Sequence, residues 1–153
     1  MSDYFFLFKW LHVLSASVLF GTGLGIAFFM FAAWRAKDLR VFAGVAKLVV
    51  LADWIFTATA IVAQPLTGWA LIEAAGWRWN EPWLMAAYGL YALAGAFWLP
   101  VVAIQMRLAK LAESGEENPE RNRLMWIWFW FGWPAFGAVL MIFWLMIAKP
   151  VPL

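Results

Sequence analysis

A single histidine, His12, stands in this chain of 153 residues, so any chemistry that needs an imidazole is concentrated there. Neutral imidazole binds haem iron, and helical bundles host such cofactors between facing helices. Lys9, one helical turn earlier, supplies a cation that can neutralise a propionate or assist proton movement. Depth matching along the later helices puts Gln64, Tyr88 or Tyr91, and Met141 level with His12, and these are the side chains expected to line a haem b beside it. One histidine per chain leaves three haem arrangements: His12 with an open position, His12 with Met141 or Lys9, or two copies of His12 meeting across a dimer. Bis-histidine ligation within one chain and a metal ion held by several histidines are both excluded. The plainer alternative is an interfacial histidine that hydrogen-bonds Gln64 or a tyrosine.

A second constellation runs along the second apolar segment. Asp53, Thr57, Ala60, Gln64 and Thr67 recur at spacings of four, three, four and three, which at about 100° per residue keeps them in one narrow sector of a helix. Hydrogen-bonding glue between helices accounts for Thr57 and Gln64. Asp53 fits that reading less well, because a carboxylate deep in a bilayer is costly and by default marks a functional site. Protonation, or a bent ion pair with Lys47, are the two ways to accommodate it. The third segment carries a matching seam of Tyr88, Tyr91, Gly95, Trp98, Val102 and Gln105. Such a stripe is ordinarily packing, but Gly95 leaves room for a flat cofactor beside the tyrosines.

These residues need membrane-spanning helices to position them. Apolar residues make up 66% of the chain and charged residues 13%, with a mean hydropathy of +0.78. That is too little polar side chain to coat a soluble globule. Four runs free of Asp, Glu, Lys and Arg, residues 10–34, 54–72, 82–106 and 124–148, are each long enough to cross a bilayer. Sensible ends give helices over 4–34, 41–73, 82–110 and 123–148. The fold expected is all-α: one domain over 1–153, an integral membrane antiparallel four-helix bundle. The first run lacks a basic start and continues apolar to Trp34, which favours a retained helix over a cleaved signal peptide.

Eight of the eleven basic residues flank the first and third connections, so the positive-inside rule places those loops in the cytoplasm and both termini in the periplasm of a bacterial inner membrane. The absence of cysteine excludes disulfides, thiolate-held haem and iron–sulfur clusters, and nucleic acid is not an expected ligand. The first helix has two small faces. One is the ridge Ser17, Gly21 and Gly25; the other aligns His12 with Ala16, Leu19 and Gly23. In the fourth helix, Trp126, Trp128 and Trp130 read as a belt at the cytoplasmic boundary, and Pro134 should kink the helix.

The stretch Tyr4 to Trp34, with Lys9-Trp10-Leu11-His12 ahead of a glycine-containing apolar helix, resembles the opening helix of the HemJ-type membrane protoporphyrinogen oxidases. That resemblance implies haem b, His12 as iron ligand and Lys9 as a nearby functional cation. Over nearly its whole length the chain also resembles a bacterial family of predicted integral membrane proteins (domain of unknown function 2269). The features that carry this are Lys9 to His12, Gly21 to Gly25, Gln64-Pro65-Leu66-Thr67-Gly68, and Trp98-Leu99-Pro100-Val101-Val102 with Gln105. The expectation from residues and resemblance together is haem b binding with a redox or haem-handling role. Partners would be membrane lipid and either further copies of the chain or a redox protein. The alternatives are a small proton-coupled transporter working through Asp53, and a non-catalytic membrane subunit docking through its tryptophan-rich last helix.

Overall fold

The computed structural model describes residues 3–115 and 118–149. They form α1 (Asp3–Arg35), α2 (Leu39–Ala52), a π-helical turn (Asp53–Thr57), α3 (Ala58–Ala75), α4 (Pro82–Glu113) and α5 (Pro119–Ala148). The π turn joins α2 and α3 into one span, so four spans of 30 to 37 residues result, each apolar enough to cross a membrane. At 1.5 Å per residue they exceed a hydrocarbon core of roughly 30 Å, which requires tilt or protruding ends. The four-helix bundle read from the sequence is present.

The ends differ from expectation for local reasons. α5 begins at Pro119 because Asn118 caps it, its side chain accepting the Glu120 N–H at 2.9 Å while proline takes the first helical position. α4 runs on to Glu113, which places that carboxylate 2.9 Å from Lys47. Asp38 caps α2 by accepting from the Arg40 and Val41 N–H groups. Pro65, Pro100 and Pro134 all lie inside continuous helix. Gly76 ends α3 in the left-handed region (φ 68°), with Trp77 N–H returning to Ile72 O, and a Cβ there is disfavoured by about 1–2 kcal/mol. Gly76→Ala should therefore lower the melting temperature of the detergent-solubilised protein by several degrees, with the helical signal at low temperature unchanged.

The two ends of the bundle pack differently. Where α1 gives way to α2 and α4 approaches α5, a core of Met30, Phe42, Ala46, Leu108 and Met125 joins all four spans. Arg107 and Glu120 form an ion pair there, and Trp34 Nε1 donates to Asn122 Oδ1 at 2.9 Å. At the opposite end, where α1 begins and α5 ends, a smaller cluster of Ile72, Trp83, Leu84, Ala87 and Leu145 ties α3 to α4 and α5. Lys149 lies over the Trp77 ring at 4.1 Å; burial against these rings lowers its pKa, and the charge of Lys9 lowers it further. Between the ends, α1 packs along α3 and α4 along α5, but α1 meets α5 only lightly. The middle of the bundle is therefore two helix pairs with a gap between them.

The π turn is where the second span changes partners. α2 packs on both α4 and α1, whereas α3 packs mainly on α1. Ala58 N–H reaches five residues back to Asp53 O, so the turn holds an extra residue and the helix face is rephased on passing through it. Single π turns of this kind occur often at functional sites, and this one begins at the one acidic residue in the middle of the bundle.

Candidate functional site

Asp53 is 3% exposed. Its carboxylate is met by neutral donors: Trp98 Nε1 lies 3.4 Å from Oδ1, and Gln105 Nε2 donates to Oδ2 at 2.7 Å. The Gln105 amide is oriented by its surroundings, because Trp128 Nε1, a donor only, approaches its other end at 3.1 Å and must meet Oε1. Thr57 presents its hydroxyl toward the same carboxylate without making a well-formed hydrogen bond. No cation pairs with Asp53 among the described residues; Lys47, expected as its partner, is held by Glu113 instead. The bent ion pair is thus replaced by a chain from α5 through α4 to the π turn: Trp128, Gln105, Asp53.

That chain borders a cavity of about 460 Å³ between the two helix pairs. Its wall is mostly aromatic and aliphatic, with Phe20, Phe31, Phe129, Trp133 and Phe136 prominent. Asp53, Gln64, Tyr91, Trp98 and Gln105 also reach it, and no Lys, Arg or His does. Three glycines, Gly23, Gly95 and Gly132, line it with nothing within 4 Å of where a Cβ would stand. Leu24 and Phe28 on α1 and Trp133 on α5 belong to the wall yet are exposed on the outside of the bundle. The cavity therefore opens sideways through the weakly packed α1–α5 seam, which in a bilayer faces lipid.

His12 belongs to a separate polar cluster between α1 and α3. Its Nδ1 lies 2.8 Å from Thr67 Oγ1. The Thr67 hydroxyl proton is committed to the backbone, at 2.7 Å from Ala63 O, so Thr67 accepts and His12 Nδ1 carries the hydrogen. Nε2 is left with its lone pair and has no hydrogen-bond partner among the described residues. Gly68 packs under the ring: a Cβ there would lie 3.4 Å from His12 Cε1. Gln64 Nε2 ties the helices together below, donating to His12 O at 2.8 Å and Ser15 Oγ at 2.6 Å. Ala16, one turn along α1 from His12, is in the cavity wall, but His12 itself is not.

The fit of these residues to a haem is divided. The donor chemistry suits iron, since a hydrogen-bonded Nδ1–H leaves Nε2 free to ligate and orients the ring. The enclosing set is not assembled: Met141 is 51% exposed, Tyr88 is 39% exposed, and Lys9 is exposed as well. Of the residues expected around the imidazole, only Gln64 stands beside it, its side-chain amide donating to the His12 carbonyl. Tyr91 hydrogen-bonds Ile61 O and faces the cavity. Equal depth along different helices is no guide to which way each side chain turns, and that is why Tyr88 and Met141 fall outside.

Asp53, Thr57 and Gln64 on one span, and Tyr91, Gly95, Trp98 and Gln105 on another, reach the cavity, whereas Ala60, Thr67, Tyr88 and Val102 of the same stripes do not line it. Ala16, Leu19 and Gly23, aligned with His12 on the helical wheel, line it from α1. The Ser17, Gly21 and Gly25 ridge makes no close helix contact: Ser17 and Gly21 are exposed, and space is open at both glycines. Trp126 and Trp130 are exposed as a belt would be, but Trp128 is buried and hydrogen-bonds Gln105. Its participation was missed because α5 is apolar on every side and singles out no inward face.

Neither the curated proteins nor the solved structures include a significant match to this chain. A family model does match, over residues 6–150, nearly the full length of the four spans just described. The chain belongs to the family described as predicted integral membrane protein (DUF2269).

Proposed function

We propose that this membrane protein is a small proton-coupled carrier, taking a bilayer-soluble molecule into the cavity between its helix pairs and handling it against a proton at Asp53. The observation that carries this reading is the placement of an uncompensated carboxylate at the wall of an aromatic cavity that opens toward lipid. A buried charge kept without a cation partner is expensive, and a role in binding gives a reason for its retention. A proton and a ligand cannot both satisfy the same carboxylate oxygen, so the two compete, and competition at one group is the minimum requirement for coupled exchange. The test is binding of the neutral fluorophore N-phenyl-1-naphthylamine to the purified protein. Saturable binding that is abolished when Gly132→Leu fills the cavity supports the reading. Unchanged binding in Gly132→Leu, or no saturable binding in the parent protein, contradicts it.

A second reading is favoured by the fixed tautomer of His12: haem b held through Nε2, with a redox or haem-handling role. The haem would supply one-electron chemistry; the chain supplies the ligand nitrogen and, through Thr67, its orientation. Purified protein is then red, with a Soret band absent from His12→Ala and weakened by Thr67→Val. A colourless protein that takes up no added haem rejects this reading.

The charge distribution supports an inner-membrane orientation with the basic connections in the cytoplasm and both termini outside. The chain contains no cysteine, which makes the test direct. In intact cells, an impermeant maleimide should label Asn80→Cys, between α3 and α4, and leave Ser114→Cys unlabelled until the membrane is opened. The reverse pattern would invert the assignment.

A further inference from the structure

We infer that the cavity selects lipophilic organic cations, with the Asp53 carboxylate as counter-ion and the surrounding rings as the recognition surface. This rests on reading the cavity as a ligand site, and it adds the chemical class of the ligand.

The hydrogen-bond inventory of the wall points to a positive guest. Most donors at the cavity are already spent on protein: Trp98 Nε1 and Gln105 Nε2 on Asp53, Tyr91 OH on Ile61 O, and Gln64 Nε2 on His12 O and Ser15 Oγ. The buried Thr57 hydroxyl has no hydrogen-bond partner among the described residues and stands beside the Asp53 carboxylate. The carboxylate keeps unused lone pairs, because two oxygens with about four acceptor sites receive two hydrogen bonds. An anion would meet only neutral donors, most of them engaged, and would stand beside the Asp53 carboxylate, which repels it. A guest that brings positive charge finds an acceptor.

The remainder of the wall agrees. Phe20, Phe31, Phe129, Trp133 and Phe136 present rings to the same space, and ring faces attract cations most strongly where water is excluded. No basic side chain from α1, α3, α4 or α5 reaches the cavity to oppose a cation. Tyr91 is the only other ionisable group in the wall, and its hydroxyl is engaged by Ile61 O. The volume of about 460 Å³ admits a drug-sized organic ion. The sideways opening at α1–α5 suits a guest whose apolar bulk concentrates it in the bilayer.

In exchange terms, a protonated Asp53 that receives the cation releases its proton to solvent and becomes the carboxylate of the ion pair. Charge balances without another reactant.

Tetraphenylphosphonium and tetraphenylborate have nearly the same shape and opposite charge, so comparing them isolates the sign of the site. In equilibrium dialysis of the detergent-solubilised protein against protein-free micelles, the phosphonium should bind at least about tenfold more tightly than the borate, a difference of about 1.4 kcal/mol. That preference should disappear in Asp53→Asn. Gly95→Leu, which fills the cavity and keeps the carboxylate, should weaken the phosphonium without depending on the fate of Asp53. Equal binding of the two ions, or preference for the borate, overturns the cation assignment while leaving the cavity as a ligand site if N-phenyl-1-naphthylamine still binds. Loss of all three probes from the parent protein overturns both.

Discussion

Replacing Gln105 with leucine should destabilise the bundle by roughly 2–6 kcal/mol, from two buried polar groups left unpaired at about 1–3 kcal/mol each. Gln105 is 1% exposed and joins Asp53 Oδ2 to the Trp128 indole. Leucine fits the volume but satisfies neither neighbour, and no water is expected to reach the site and substitute. The measurement is unfolding in mixed micelles followed by tryptophan fluorescence. The double variant Gln105→Leu/Trp128→Phe should recover part of the loss, because one orphaned donor is removed with its partner. If Gln105 were ordinary packing, Gln105→Leu would be neutral and the double variant would be the less stable of the two.

The second large effect is a separation of stability from function at Asp53. Asp53→Asn should bind tetraphenylphosphonium at least about tenfold more weakly, since the charge–charge attraction in a low-dielectric cavity is lost. Its stability should be equal to or greater than that of the parent. Removing a buried charge relieves a desolvation penalty, and the asparagine oxygen still accepts from Gln105 Nε2, the shorter of the two hydrogen bonds to the carboxylate. Binding by dialysis and unfolding in mixed micelles, measured on the same preparation, check the two halves together. A variant that loses stability and binding in parallel would make Asp53 a structural residue.

The sequence disclosed the spans and parts of three of the four cavity-facing stripes, on α1, the second span and α4, because these follow from helical period and from the cost of polar groups in lipid. Asp53, Gln64, Tyr91, Trp98 and Gln105 are legible in that way. The π turn is not, because Asp53 to Thr57 contains no glycine or proline and the extra residue coincides with the point where the span leaves α4 while staying on α1. Trp128 is invisible for a related reason: on a helix apolar all round, only its partner on α4 distinguishes a buried indole from Trp126 or Trp130 in the belt. His12 meets both Gln64 and Thr67, which share one face of α3: Gln64 Nε2 holds its backbone carbonyl and Thr67 Oγ1 its ring. His12 lies outside the cavity wall, and Asp53 lies in it.

The most direct measurement is a structure of the protein with tetraphenylarsonium, whose arsenic is located by its anomalous scattering. The arsenic should lie between the α1–α3 and α4–α5 pairs, adjacent to the Asp53 carboxylate and among the rings of Phe20, Phe129 and Trp133, and should be absent from there in Asp53→Asn. Arsenic found only on the outer face of the helices, or in the cavity regardless of the asparagine substitution, would contradict the cation site.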